Sequence, residues 1–253
     1  MTSTSEPFLV TAGPWHAVLV EPDRAALEAV LPAFMQPRRW FGSKARPVRS
    51  ATVVDVLPLA DWARLAMVRV DFVHGPPDLY ALPLAFATGE EAAALRRERP
   101  QALVAALASA EGRGVLYDAL WNPVLCTALL ERLTTPQRLA GRQGALESVV
   151  TRALAPLLQE QAAALLPHLL GVEQSNTSIR FGDRLILKLY RRLEEGINPD
   201  VEIGRYLTEQ RRFPNAPAVA AVLYYHPSPR SDDSCCPAAA EAATTREGAT
   251  GDT

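Results

Sequence analysis

Apolar residues recur at helical spacing through Leu27, Val30, Leu31 and Phe34, which predicts a short amphipathic helix over 25–34 that stops near Pro37. The pattern then changes period. Val48–Leu57, Leu65–Val73 and Leu79–Phe86 are enriched in Val and other apolar residues with partial alternation, and Pro58 and His74-Gly75-Pro76-Pro77 break them apart. Three antiparallel strands under one helix are expected, so residues 1–88 read as a small α+β unit.

From Thr88 the spacing reads as helical again. Glu90–Arg99 and Gln101–Ala110 are separated by Pro100, Leu116–Leu133 is interrupted at Asn122-Pro123, and Glu147–Leu166 carries Pro156. Prolines at these points predict helix boundaries or kinks, and a helical intermediate region is expected over 89–165, with 138–144 as a polar connector. No repeat and no sustained heptad is visible.

A β-rich signal returns over 166–225. Leu169-Leu170-Gly171-Val172 leads into the polar loop Glu173-Gln174-Ser175-Asn176-Thr177-Ser178, followed by Ile179-Arg180-Phe181, a Gly182-Asp183 turn and Arg184–Tyr190. Strand, loop, strand, turn and strand are predicted in that order. Asn198-Pro199-Asp200-Val201-Glu202 is a helix start, with Asn as N-cap, Pro at the first helical position and acids in the first turn. The predicted helix covers 199 to about 211. Residues 226–253 lose periodicity and turn to Ser, Pro, Ala, Thr and Gly, a composition expected to be disordered.

Composition narrows the function classes. The chain has 253 residues, is 48% apolar, and carries 26 basic against 28 acidic residues for a formal charge of −2. That leaves no basic field for a nucleic-acid backbone or an anionic membrane. The longest apolar-leaning uncharged run, Phe213–Pro229, is broken by four prolines. It does not suit a bilayer crossing, and the first ten residues lack the basic and apolar regions of a secretory signal, so a cytoplasmic location is expected. Cys126 lies in an apolar stretch, and the adjacent Cys235 and Cys236 have no ligand-spaced neighbours, so no metal site is expected.

Of the 26 basic residues, 24 are Arg and only Lys44 and Lys188 are Lys. Lysine is a compact charge on a flexible stem, suited to reaching a phosphate in a tight site. Lys188 follows the polar loop by one strand, and Glu202 lies 14 residues further on. A loop of donors, a strand Lys and a helix Glu in this order suit the holding of nucleotide phosphates. Taken one at a time, each is equally an ordinary loop, a surface Lys and a solvated helix.

Two segments, Trp40-Phe41-Gly42-Ser43-Lys44 and Glu173–Leu207 (EQSNTSIRFGDRLILKLYRRLEEGINPDVEIGRYL), resemble the maltokinase family across about residues 7–222. The resemblance implies an N-terminal cap domain, an intermediate region and the N-terminal lobe of an aminoglycoside-phosphotransferase-like kinase. It further implies ATP and Mg²⁺ as cofactors and conversion of maltose to maltose 1-phosphate for α-glucan and glycogen synthesis, with occasional fusion to trehalose synthase. Ser175, Asn176, Thr177 and Ser178 match the phosphate loop, Lys188 the strand lysine, Glu202 the helix glutamate, and Trp40 and Lys44 the cap motif. The family continues into a lobe in which a His-Gly-Asp segment and a later Asp supply the base and the metal ligand. Here the one His-Gly is His74-Gly75, followed by Pro76, and the later Asp residues are Asp232, Asp233 and Asp252 in the tail. A truncated or frame-shifted maltokinase, inactive alone, is therefore expected. The alternative is a non-catalytic docking module that binds a partner such as trehalose synthase through its cap.

Overall fold

The computed structural model describes residues 6–159, 166–170, 176–196, 198–211, 213, 215–228, 238–239 and 242–245. The class is α+β, as expected. Strand β1 (Phe8–Val10) and helix α1 (Arg24–Met35) precede the meander β2 (Val48–Ala60), β3 (Ala63–Phe72) and β4 (Asp78–Thr88). Helix α2 (Gly89–Glu98) leads to β5 (Leu103–Ser109) and β6 (Gly112–Asp118). Helix α3 (Pro123–Thr134) begins at Asn122, whose side chain accepts from the Val124 N–H.

The expected helix over 101–110 is a strand, and so is the first part of the one over 116–133. β5 pairs with β1 in parallel and with β6 in antiparallel, while β6 also pairs with β4. Local helix propensity in this Ala-rich run loses to burial between two strands, since Val104, Ala105 and Leu107 are all core residues. Gly114 permits the close pairing, because a Cβ there would stand 1.9 Å from the carbonyl oxygen of Ala87.

A second departure lies at 138–150, where β7 (Arg138–Ala140) and β8 (Gly144–Val150) form a hairpin in place of connector and helix; of the helix expected over 147–166, the described residues hold α4 (Leu154–Gln159), and 160–165 lie outside them. Val149, Val150 and Thr151 are β-branched, and β8 pairs along its length with β13 (Ala221–Pro227). Strands β9 (Pro167–Leu170), β10 (Asn176–Phe181) and β11 (Leu185–Tyr190) follow the predicted order and pair antiparallel. Then come β12 (Arg192–Glu195) and α5 (Pro199–Tyr206), the latter extended by a π turn over Leu207–Arg211. α5 starts at the predicted cap, Asn198 accepting from the Asp200 N–H at 2.9 Å.

The tail expected to be disordered from 226 departs in part. His226 and Pro227 continue β13, and the backbone of β14 (Ala238–Ala239) and β15 (Ala242–Thr245) pairs with β12 and β11.

The eight-stranded sheet that contains β4 buries both faces. On one, Leu27, Leu31, Phe34 and Met35 of α1 meet Val53, Val68, Leu82 and Leu116. On the other, Leu125, Leu129 and Leu133 of α3 join Ile179, Phe181 and Leu187 of the β10–β11 pair and Leu223 and Tyr225 of β13. The second edge of β4 is shared: β6 takes Leu84–Thr88, and β12 takes Leu79 and Tyr80. Pro83, which has no N–H to offer a ladder, lies in the interval. Among the described residues no helix is long and apolar enough to cross a membrane.

Candidate functional site

Alternation along β10 and β11 sorts the predicted site residues onto two faces. Ile179, Phe181, Leu185, Leu187 and Leu189 point into the core, and by the same period Thr177 and Arg191 fall on that side. Ser178 and Lys188 lie on the other, directly opposite each other in the register. Directly opposed residues hold their Cβ atoms about 5 Å apart. Lys188 is half-buried. Ser178 is 1% exposed and its hydroxyl has no hydrogen-bond partner. A buried hydroxyl left unpaired on the strand opposite a lysine suits an oxyanion.

The remaining predicted residues are not gathered there. Glu202 is exposed in the first turn of α5, which packs Val201 against Val219, Val222 and Tyr224. α5 therefore belongs to the β13 side. Among the described residues no ion pair joins Glu202 to Lys188, because the helix start that was legible in sequence is docked on a different sheet. Ile203, on the same helix, is 59% exposed. Ser175 lies outside the described residues.

Thr177 and Asn176 line a different space, a cavity of about 360 Å³ between β9–β10 and the Arg38-Arg39-Trp40 turn. Arg191 stands at its wall, 1% exposed. Its Nη2 donates to Asp118 Oδ2 at 2.6 Å and its Nε to Thr177 Oγ1 at 3.1 Å, while the guanidinium carbon sits 5.0 Å from the Trp40 ring centre. Asp118 Oδ1 accepts from the Leu120 N–H. Arg38 stacks over Phe34, and burial lowers its pKa against the opposing pull of Asp118. Arg191 and Asp118 were missed in the sequence. The available signal was Arg191 continuing the buried alternation of Leu185, Leu187 and Leu189.

The Trp40–Lys44 segment is mostly an anchor. Trp40 is buried, Phe41 stacks on Tyr80 with ring centres 5.0 Å apart, and Ser43 Oγ donates to Asp78 Oδ2 at 2.6 Å. Desolvation, then the nearby Asp78 carboxylate, pushes the Tyr80 hydroxyl pKa up. Lys44 is exposed.

Residues 34–121 match the family model of the maltokinase N-terminal cap domain. Over that stretch the chain is similar to a maltokinase cap. The matched stretch runs from the end of α1 through β6 to Trp121, so β5 and β6 belong to the cap as matched. Among solved structures, a glucosamine kinase (crystal form A) is similar at 14% identity, with a TM-score of 0.49 over 95% of this chain and 42% of that one. The chain thus spans less than half the length of that kinase.

Among the described residues no three His, Cys, Asp or Glu side chains cluster as a metal would require.

Proposed function

We propose that the chain forms the cap and part of the nucleotide-holding sheet of a maltokinase-type phosphotransferase, which makes maltose 1-phosphate and ADP from maltose and ATP and so feeds α-glucan and glycogen synthesis. The observation that carries this is that Lys188 stands opposite Ser178 in the strand register, with the Ser178 hydroxyl buried and unpartnered among the described residues. When bound, ATP supplies the phosphoryl group to be transferred. The Lys188 ammonium would neutralise phosphate oxygens, and the Ser178 hydroxyl would donate to one of them. Asn176 and Thr177, which line the separate cavity under the cap turn, take no part in this pair. Glu202 does not orient Lys188 in this arrangement, so the lysine relies on its half-buried stem for direction.

The chain contains no His-Gly-Asp segment. Its own residues bind and orient phosphate without supplying a base, so the 253-residue chain is expected to form no maltose 1-phosphate above background. Titration with ATP is the direct test. Binding no tighter than about 1 mM, or about −4 kcal/mol, is expected. Loss of that binding in Lys188→Ala, with the melting temperature unchanged, supports the assignment; equal ATP affinity in Lys188→Ala overturns it. A second role, docking of a partner such as trehalose synthase on the cap, would appear as a complex insensitive to Lys188→Ala.

A further inference from the structure

The cavity of about 360 Å³ under the Arg38-Arg39-Trp40 turn lies at the start of β10, where Asn176 and Thr177 line it and Lys188 does not, and the reading above assigns it no role. Three arginines, Arg38, Arg39 and Arg191, line it with one acidic residue, Asp118. Both oxygens of that carboxylate are engaged, one with Arg191 Nη2 and one with the Leu120 N–H. The Asp118 charge is thus spent within the wall and the cavity keeps an excess of positive charge.

Buried polar atoms in folded proteins find partners with few exceptions. Here three that line one cavity do not: Arg191 Nη1, Arg38 Nε and Asn176 Oδ1. Arg191 is 1% exposed, with its other two nitrogens committed to Thr177 and Asp118. The two unsatisfied arginine nitrogens are donors that favour an oxyanion, and arginine's planar fork matches phosphate geometry. The unsatisfied amide oxygen is an acceptor and calls for a hydroxyl. Trp40 and Trp121 supply apolar ring surface, and the volume is near the lower end of ligand cavities, room for a single ring with its substituent.

We propose that this cavity, between the Arg38-Arg39-Trp40 turn and the β9–β10 pair, binds a small phosphorylated polyol or sugar, with Arg191 and Arg38 on the phosphate and Asn176 on a hydroxyl. The site is independent of Lys188. Because β9–β10 and the cap both contribute, occupancy would clamp one to the other.

Tryptophan emission reports on the site directly, since two of the chain's four tryptophans line it. Titrating the full chain with glucose 1-phosphate, inorganic phosphate and glucose separates the contributions. Saturable quenching is expected with glucose 1-phosphate, weaker binding with inorganic phosphate, and none with glucose at the same concentrations. Arg38→Ala, which removes no ion pair recorded among the described residues, should weaken the sugar phosphate at least tenfold, and Lys188→Ala should leave the curve where it was. Arg191→Met should abolish binding, but it also strips Asp118 of its partner, so Arg38→Ala decides the matter if Arg191→Met fails to fold. Absence of saturation by either phosphate, equal response to glucose, or an Arg38→Ala curve superposable on the unmodified chain would each overturn the assignment. Loss of ATP binding in Lys188→Ala with this response intact distinguishes the two sites.

Discussion

Arg191 Nη2 lies 2.6 Å from Asp118 Oδ2, and both side chains are buried. The pair marks a joint: Asp118 ends β6 and Arg191 precedes β12, the two strands that follow one another along the same edge of β4. The backbone is tied at the same place, where the Ala81 N–H donates to the Arg191 carbonyl at 2.7 Å.

Breaking a buried pair by deleting one partner strands the other charge in the interior, at a cost of about 3–5 kcal/mol. Asp118→Ala is expected to lose about that much stability in urea titration. A combined Asp118→Leu and Arg191→Met chain, with no charge left to desolvate, should be more stable than either single variant. A double variant less stable than both would show that the hydrogen bonds to Thr177 and Leu120 matter more than the charges do.

Asp55 is the second buried carboxylate with structural work. It accepts from the backbone N–H groups of Arg142 and Gln143 and from the Tyr225 hydroxyl, and so ties the β7–β8 turn and β13 to β2. Gly141 makes room for it, since a Cβ there would stand 2.6 Å from Asp55 Oδ2. Gly141→Ala should destabilise the chain by about 1–3 kcal/mol through overpacking, read as a lowered urea midpoint with an unchanged slope.

Burial pushes the Cys126 thiol up to about 12, with Asp118 adding to the shift. The thiolate is the reactive form. Under native conditions at pH 8, Cys126 should therefore resist iodoacetamide and become labelled only in denaturant, as peptide mass spectrometry would show. Rapid native labelling would mean that α3 opens readily.

His16 has its pKa lowered from 6.5, first by burial, then by Arg64, against a smaller opposing effect of Glu111. The fold thus prefers the neutral ring. Above pH 6.5 both folded and unfolded chains hold it neutral; as pH falls below that value the unfolded chain takes up the proton first, and stability is lost. His16→Gln should remove this part of the acid sensitivity, so the urea midpoint should fall less between pH 7.5 and 5.5 in the variant than in the unmodified chain. Parallel pH dependence would assign the sensitivity elsewhere.

Sequence alone determined the elements whose signals are local. Alternation and proline breaks gave β2–β4, the Asn198-Pro199 cap gave the start of α5, and the strand–loop–strand–turn–strand order put Lys188 on a strand, whereas Asn176–Ser178, read as the end of the loop, begin β10 in the structure. The resemblance of Trp40–Lys44 to the cap motif was legible too, and in the fold Phe41 and Ser43 of that turn contact Tyr80 and Asp78. Tertiary structure decided the rest. Leu103–Ser109 has the composition of a helix and became a strand because two neighbours offered their edges. Glu202 could not be placed from its spacing to Lys188, since which sheet a helix docks on depends on the match of its apolar face, here Val201 against Val219 and Val222. The cavity lined by Arg38, Asn176 and Arg191 was invisible for the same reason: its residues come from three distant parts of the chain, and only the packing of β9–β10 against the cap brings their unpaired atoms together.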